Sequence, residues 1–424
     1  MPHSEEESAL PLGPYRVLDL ADEKGLLCGK ILGDLGADVI KIERPAGDPS
    51  RSLGPFYLDI PHPEKSLYWF AYNTNKRGIT LNIETADGKD IFRRLVKTAD
   101  FVIESFPPGY MESLGLSYSA LSRINPRLIV TSITPFGQSG PWRDYKAPDI
   151  VAMALSGLVL GTGDPDRAPV RIGVPQAYPQ AGAQAAMGSM IAHYHRQLTG
   201  EGQHVDVSIQ ESALWTAAPT QVTFGLDPSL WDLHKTAPSR GSRTLRGTVM
   251  VRSMWPCQDG YICWRMMTGP GLGQRVRLLV EWMNEEGVAG DMMDVNWEEV
   301  DLLKLTQEQI DRWEELWINF FKTRTMAELY EEAVKRGILI YPVATVEEIM
   351  KSKQLAARDF FVPLKHTELG VSITYPGAPF KSSEVDLKLR RRAPLIGEHN
   401  YDIYVKELGL SPAELVALKE RNVI

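Results

Sequence analysis

The chain has 424 residues and a formal net charge of -8, with 43% hydrophobic and 24% charged residues. That balance belongs to a folded globular protein with a sizeable core, and the acidic surplus excludes a general nucleic-acid-binding surface. Cys28, Cys257 and Cys263 are too few and too widely spaced for a disulfide framework, which points to a reducing compartment, the cytoplasm.

The first residues, MPHSEEESALPLGP, lack a basic region ahead of an apolar run, so no signal peptide is expected. The longest apolar run, Ile150 to Leu160, falls far short of the ~20 residues a membrane span needs. From Tyr15 the pattern becomes regular. YRVLDL reads as a buried strand, Leu26 to Gly36 as a helix closed by glycine, and Asp38 to Glu43 as the next strand, a βαβ unit of about 30 residues. Further strands are expected at Gly78 to Ile83, Asp100 to Glu104, Leu128 to Ile133 and His204 to Ile209, with helices at Asp87 to Lys97, Ser117 to Ile124 and Gln180 to Gln197. This alternation predicts an α/β fold with a mostly parallel sheet covered on both faces.

Such sheets bind ligands just past the ends of their strands. Those segments are Ala21 to Gly25, Arg44 to Gly54, Ser105 to Gly109 and Thr134 to Lys146. They carry Arg44, Arg51, Arg143 and Lys146, cations that suit phosphate and equally suit a solvated surface. In Val170 to Arg196, a short apolar segment (Val170, Ile172, Val174) runs through a Pro- and Gln-rich bend onto a long helix of small residues. A strand or loop feeding a helix N-terminus leaves backbone N–H groups free to meet a ligand. Yet the bend holds only Gln176, Tyr178 and Gln180, none of them a carboxylate, thiol or imidazole.

After Ala213 a poorly periodic stretch with Trp, Pro and Gly reads as a linker. A second region begins near Arg246, with strands at Thr248 to Trp255, Tyr261 to Met266 and Ile338 to Val343. Its helices are expected at Gly273 to Glu286, Thr306 to Lys322, Met326 to Arg336 and Val346 to Ala357. Trp255, Trp264, Met266 and Met267 either pack a core or face an apolar substrate. Strands at Phe361 to Lys365 and Ser372 to Tyr375 precede amphipathic C-terminal helices able to pack back on the first region.

Several familiar chemistries lack their motifs. A nicotinamide-dependent oxidoreductase would place a ribose-binding acid near Glu43, but the first βα turn, LADEKGLLCG, has no GxGxxG. His193 and His195 stand two apart on a helix and point to different sides, so one packed and one exposed histidine is expected rather than a metal pair. There is no HExxH, no Cys/His cluster and no GxSxG elbow after a strand, and nothing pairs Asp149 with Glu211.

Five segments in order carry a resemblance: LGDLGADVIKIERPAGDPSR, FAYNTNKRGITLNIETADGK, ADFVIESFPPGYMESLGL, TGEGQHVDVSIQESAL and APLIGEHNYDIYVKELGL. Together they make the chain similar to the family III coenzyme A transferases, the CaiB/BaiF family, over nearly its whole length. The resemblance implies a Rossmann-like large domain built from both chain ends, a smaller α+β middle domain and an interlinked dimer. Residues 1–213 and 385–424 would then form the large domain, 214–245 a linker, 246–345 the small domain and 346–384 the return linker and strands. It also implies coenzyme A or acyl-CoA as substrate with no permanently bound cofactor and no metal. CoA contacts are implied at Glu23, Lys24, Gly25, Arg44, Ser105, Phe106 and Lys146. Ser105 and Ser113 stand where the family has Asn and Arg, so that contact is altered here.

The family's nucleophilic aspartate attacks the acyl-CoA thioester and carries the acyl group and then CoA. Matching RIG and Gly182 to the family pattern sets Tyr178 at that position. A phenol with an ordinary pKa of about 10 is neutral at pH 7 and has no carboxylate to carry an acyl group. No Asp or Glu lies between Asp166 and Glu201 to replace it. The expected role is therefore a subunit without its own nucleophile beside a paralogous catalytic subunit, as in benzylsuccinate CoA-transferase, which moves CoA from succinyl-CoA to an aromatic dicarboxylic acid. No nucleic-acid or membrane partner is expected. The alternatives are a racemase-like acyl-CoA isomerase, though no His precedes His193 near the bend, and a CoA-binding regulatory protein.

Overall fold

The computed structural model describes residues 10–164, 167–217, 243–246, 249–302 and 304–424. The linker expected over 214–245 lies mostly outside them. The chain divides into two compact units, one of residues 1–156, 173–217 and 353–424, the other of 157–172 and 218–352.

The first unit is built on a six-stranded sheet with β1 at Arg16–Asp19, β2 at Asp38–Glu43, β3 at Lys76–Thr80, β4 at Phe101–Glu104, β5 at Ile129–Thr134 and β6 at His204–Ser208. All neighbouring strands are parallel, in the order β3-β2-β1-β4-β5-β6. This is the doubly wound order, and its direction reverses between β1 and β4, where a crevice opens at the strand ends. Helices α1 (Leu26–Asp34), α2 (Ala86–Val96), α3 (Tyr118–Ile124), α4 (Asp149–Leu155), α5 (Ala177–Thr199) and α6 (Ile209–Leu214) connect or flank the strands.

β3 begins two residues before the expected Gly78 because its opening Lys76 and Arg77 read as surface charges. Lys76 is instead fully buried. Its ammonium meets Asp19 Oδ2 at 2.8 Å, the Leu26 carbonyl at 2.9 Å and Asn73 Oδ1 at 2.9 Å, three acceptors for three donors. A Cβ on Gly29 would fall 2.2 Å from Asp19 Oδ2, so that glycine makes room for the pair.

The small residues of α5 have a similar role. Ala181, Gly182, Ala185, Ala186, Ser189 and Ala192 form its buried face. At Gly182 a Cβ would stand 2.9 Å from the Leu27 Cβ, so α5 lies close against α1. Ser189 Oγ and Thr131 Oγ1, 2.7 Å apart, bind it to the sheet.

Both chain ends build this unit. Ile403, Tyr404, Leu418, Val423 and Ile424 share a core with Leu18, Ile40, Ile79 and Val102, and Tyr404 donates to the Thr80 carbonyl at 2.6 Å. Arg51, also buried, binds Glu43 through two hydrogen bonds of 2.6 and 2.8 Å and reaches the Pro394 carbonyl at 2.9 Å.

In the second unit, the strand expected at Thr248 to Trp255 is split. Val249–Arg252 pairs with Arg243–Arg246, whereas Met254–Pro256 pairs with Tyr261–Cys263, so the chain changes partner at Ser253. The expected helix from Val346 to Ala357 is likewise two, Val346–Met350 and Lys353–Ala357. Trp255, Trp264, Trp317 and Phe321 pack ring against ring, most pairs edge to face, inside an apolar core that includes Met266. The aromatic and Met-rich region is therefore core packing.

Candidate functional site

Where β1 and β2 end, a cleft of about 220 Å³ opens, floored by Leu20, Ile42, Leu81 and Ile83 and rimmed by Asp22, Arg44, Asn82, Glu84, Phe106 and Tyr110. Phe106 and Tyr110 stack with centroids 4.7 Å apart and planes at 32°. Arg44 is mostly exposed and lies 3.4 Å from Glu84, which also accepts the Tyr110 hydroxyl at 2.6 Å. The two acids deeper in the wall are already neutralised, Glu43 by Arg51 and Asp48 by Lys41 at 3.0 Å. An apolar floor, an aromatic wall and a loosely held guanidinium suit a flat heterocycle joined to phosphate.

The turn behind the cleft is stapled across the sheet's reversal point. Ser105 Oγ donates to Asp22 Oδ1 at 2.8 Å and accepts the Asp22 backbone N–H at 2.9 Å. Lys24 pairs with Asp22. Gly25 is buried beneath, and a Cβ there would stand 2.7 Å from Ile133 Cδ1, so it allows close helix-to-sheet packing. Of the residues expected to contact a nucleotide, the structure brings Arg44 and Phe106 to the cleft wall and sets Ser105, Lys24 and Gly25 in its supporting turn. Lys146 is exposed and does not line the cleft.

At the bend, residues 170–176 form loop rather than strand, and α5 starts at Ala177. Tyr178 sits on its first turn, half-buried, its hydroxyl donating to the Ala147 carbonyl at 3.4 Å. Burial, followed by the charges of Glu23, Asp22 and Asp149, pushes this phenol above its ordinary range. It therefore stays uncharged. Tyr68 and Tyr72, with rings 4.8 Å apart, belong to the same surroundings: Glu23, Asp149 and Tyr178 all act on Tyr68. The Glu23 carboxyl is itself pushed up, by burial first and then by Asp22. These phenols and carboxyls, gathered at the start of α5, offer hydrogen bonds to a ligand.

The sequence names Asp149 only as an acid without a partner in Glu211, and its role at the bend comes from the structure. Asp149 opens α4, and its carboxylate accepts the backbone N–H of Tyr178 at 3.0 Å and that of Gln176 at 3.3 Å, so one acid serves the N-termini of two helices. The Pro148–Asp149 pair ahead of an apolar run was the available signal. His193 is buried and His195 exposed, and among the described residues no cluster of His, Cys, Asp and Glu is able to hold a metal. No helix among them is long and apolar enough to cross a membrane.

Residues 12–400 match the model of CoA-transferase family III. The chain belongs to this family. It is 38% identical over 399 residues, 92% of its length and 93% of the relative's, to the succinyl-CoA:(R)-benzylsuccinate CoA-transferase subunit BbsE of Thauera aromatica. Identity to the formyl-CoA:oxalate CoA-transferase of Streptomyces avermitilis is 32% over 424 residues, covering 96% of this chain and 98% of that one. A CAIB/BAIF family protein from Brucella suis superposes with a TM-score of 0.81 at 29% identity, covering 94% of this chain and 99% of that chain. Membership makes a transfer reaction on CoA thioesters the chemistry of this fold, and one relative with that chemistry is named as a subunit.

Proposed function

We propose that this chain is one subunit of a heteromeric family III CoA-transferase, carries no nucleophile of its own, and acts beside a paralogous subunit that supplies the aspartate. The observation that carries this reading is Tyr178. It occupies the α5 N-terminus as a neutral phenol at the position where the family resemblance sets the nucleophile, and no acid between Asp166 and Glu201 takes its place. CoA lies in the cleft of Arg44 and Phe106, over the turn Glu23 to Gly25 and Ser105, with Lys146 reached from outside it. The paired subunits interlink, with the large domain drawn from both chain ends and the linker over 214–245 leading to the middle domain.

The exposed side of α5 supports a partner. Met187, Ile191, Tyr194 and Leu198 fall at helical spacing, each more than half exposed. Such a stripe on a long helix marks a protein contact. Similarity to the benzylsuccinate subunit favours succinyl-CoA as donor and an aromatic dicarboxylic acid such as benzylsuccinate as acceptor. The buried Trp255 and Trp264 lend that choice no support, since they serve the core. The test is transfer of CoA from succinyl-CoA to benzylsuccinate by the purified chain, by its paralogue and by the two together. Turnover only in the mixture is expected, and turnover by this chain alone overturns the reading.

A further inference from the structure

At the ends of β4 and β5 a second cavity of about 240 Å³ is lined by Glu104, Met111, Glu112, Tyr118, Ser132 and His204, among others. Three of these side chains form a line from the interior to the surface. Glu104 ends β4 and pairs in register with Ser132 on β5, and both are buried. The Ser132 hydroxyl acts on the Glu104 carboxyl beside it in the register, holding its pKa down, and its Oγ lies 2.9 Å from His204 Nε2. His204 opens β6, is exposed, and stacks on Tyr118 with planes at 18°. With the serine proton committed to the carboxylate, the histidine Nε2 carries its own proton and donates to Oγ. Ser132 is buried, and its neighbours Glu104 and His204 both contact the hydroxyl itself, whereas in a hydrolytic triad the acid orients the histidine, so this is not a hydrolytic triad.

The other oxygen of Glu104 gives the line its meaning. Oε2 accepts the backbone N–H of Phe106 at 2.7 Å. Glu104 thus holds the turn that presents Phe106 to the nucleotide cleft and carries the Ser105 staple to Asp22. We propose that Glu104 is a positioning residue for this CoA-binding turn, and that the line through Ser132 to His204 lets solvent protons reach it and loosen the turn. The inference rests on the reading that CoA occupies the cleft.

The ionised carboxylate is the form that accepts from both Phe106 and Ser132. A proton arriving through His204 and Ser132 reverses the donors along the line and leaves Phe106 N–H facing a neutral, weaker acceptor. Burial, the largest influence, pushes the Glu104 carboxyl up to about 7. The Ser132 and Phe106 hydrogen bonds and the Lys24 charge oppose that shift, while Asp22 adds to it. Glu112 lines the same cavity, and burial holds the His204 imidazole below its ordinary range while Asp206 opposes that shift. Binding that selects the ionised form therefore weakens as pH falls through about 7.

The test is calorimetric titration with 3′-dephospho-CoA, whose pyrophosphate keeps a constant charge through this range. For the full-length protein, Kd should rise about 10-fold from about pH 8 to about pH 6, the fraction of competent chains falling in proportion. Glu104→Gln should bind with the same Kd at both pH values. Ser132→Ala, which removes a donor to the carboxylate, should move the midpoint upward. A pH-independent Kd in the unaltered protein, an unchanged slope in Glu104→Gln, or a midpoint unmoved or lowered in Ser132→Ala overturns this inference and leaves CoA binding standing. Absence of binding at every pH overturns both. Independently of any variant, amide hydrogen exchange at residues 105–110 of the unaltered protein, corrected for its intrinsic pH dependence, should lose protection below about pH 7. Constant protection would overturn the proposal.

Discussion

Asp149 Oδ1 accepts the backbone N–H of Tyr178 at 3.0 Å, so the mouth of α5 already holds a carboxylate where the family resemblance would set a second. Restoring aspartate at 178 therefore differs from restoring a nucleophile. Tyr178→Asp sets two acids against each other and raises the pKa of the pair. It should lower stability by about 1–2 kcal/mol at pH 8, and by less near pH 5 as the raised acid takes up its proton. Urea unfolding at the two pH values checks this. Equal stability at both would show that the side chains do not meet.

The buried Lys76 and Asp19 pair is held by complete satisfaction of the ammonium rather than by attraction alone. Lys76→Met leaves Asp19 buried without its partner. A loss of about 3–5 kcal/mol is expected, since removing half of a buried pair strands the other charge. A loss below 1 kcal/mol would mean that water reaches Asp19.

Glu104 has the opposite effect on stability. Its carboxyl is raised from 4.5 to about 7 on folding. Between those values the folded state binds more protons than the unfolded one, so the Glu104 contribution becomes less favourable as pH rises through this window. Glu104→Gln should remove that slope, making the variant relatively more stable by roughly 3 kcal/mol at pH 8 than at pH 4, an order-of-magnitude figure. Denaturation midpoints across that range test it, and parallel curves for the two proteins would contradict it.

Much of the sheet was legible because its strands are short apolar runs closed by turn residues. β1, β2, β4, β5 and β6 lie where the alternation sets them. β3 was shortened by Lys76 and Arg77, since buried cations carry the same letters as solvated ones. The cleft at the ends of β1 and β2 was partly legible. Arg44 and Phe106 reach it from strand ends, but Lys24 is turned into an ion pair by Asp22, a contact that spacing cannot show. Asp149 was out of reach because its partner is a backbone group 29 residues away. Glu104 was hidden in the same way: its neighbours Ser132 and His204 come from other strands, and only the register unites them.

The exposed stripe of α5 yields a prediction about assembly. Ile191, 63% exposed, stands near its middle, and Ile191→Glu sets a charge on a face that the proposed partner would cover. The variant should fold like the parent by circular dichroism yet lose co-purification with the paralogue. Retained co-purification would move the contact elsewhere on the chain.

The central claim is that transfer passes through a carboxylate that this chain does not supply. Its most direct test is to treat the assembled complex with succinyl-CoA, reduce with borohydride and map the modified peptides by mass spectrometry. A covalent acyl or CoA intermediate on an aspartate is reduced to an alcohol, which marks the residue that carried it. The account predicts that mark on the partner's peptide and an unmodified peptide spanning Val170 to Arg196 in this chain. A reduced carboxyl on this chain, whether at Asp149, Glu23 or elsewhere, would contradict it.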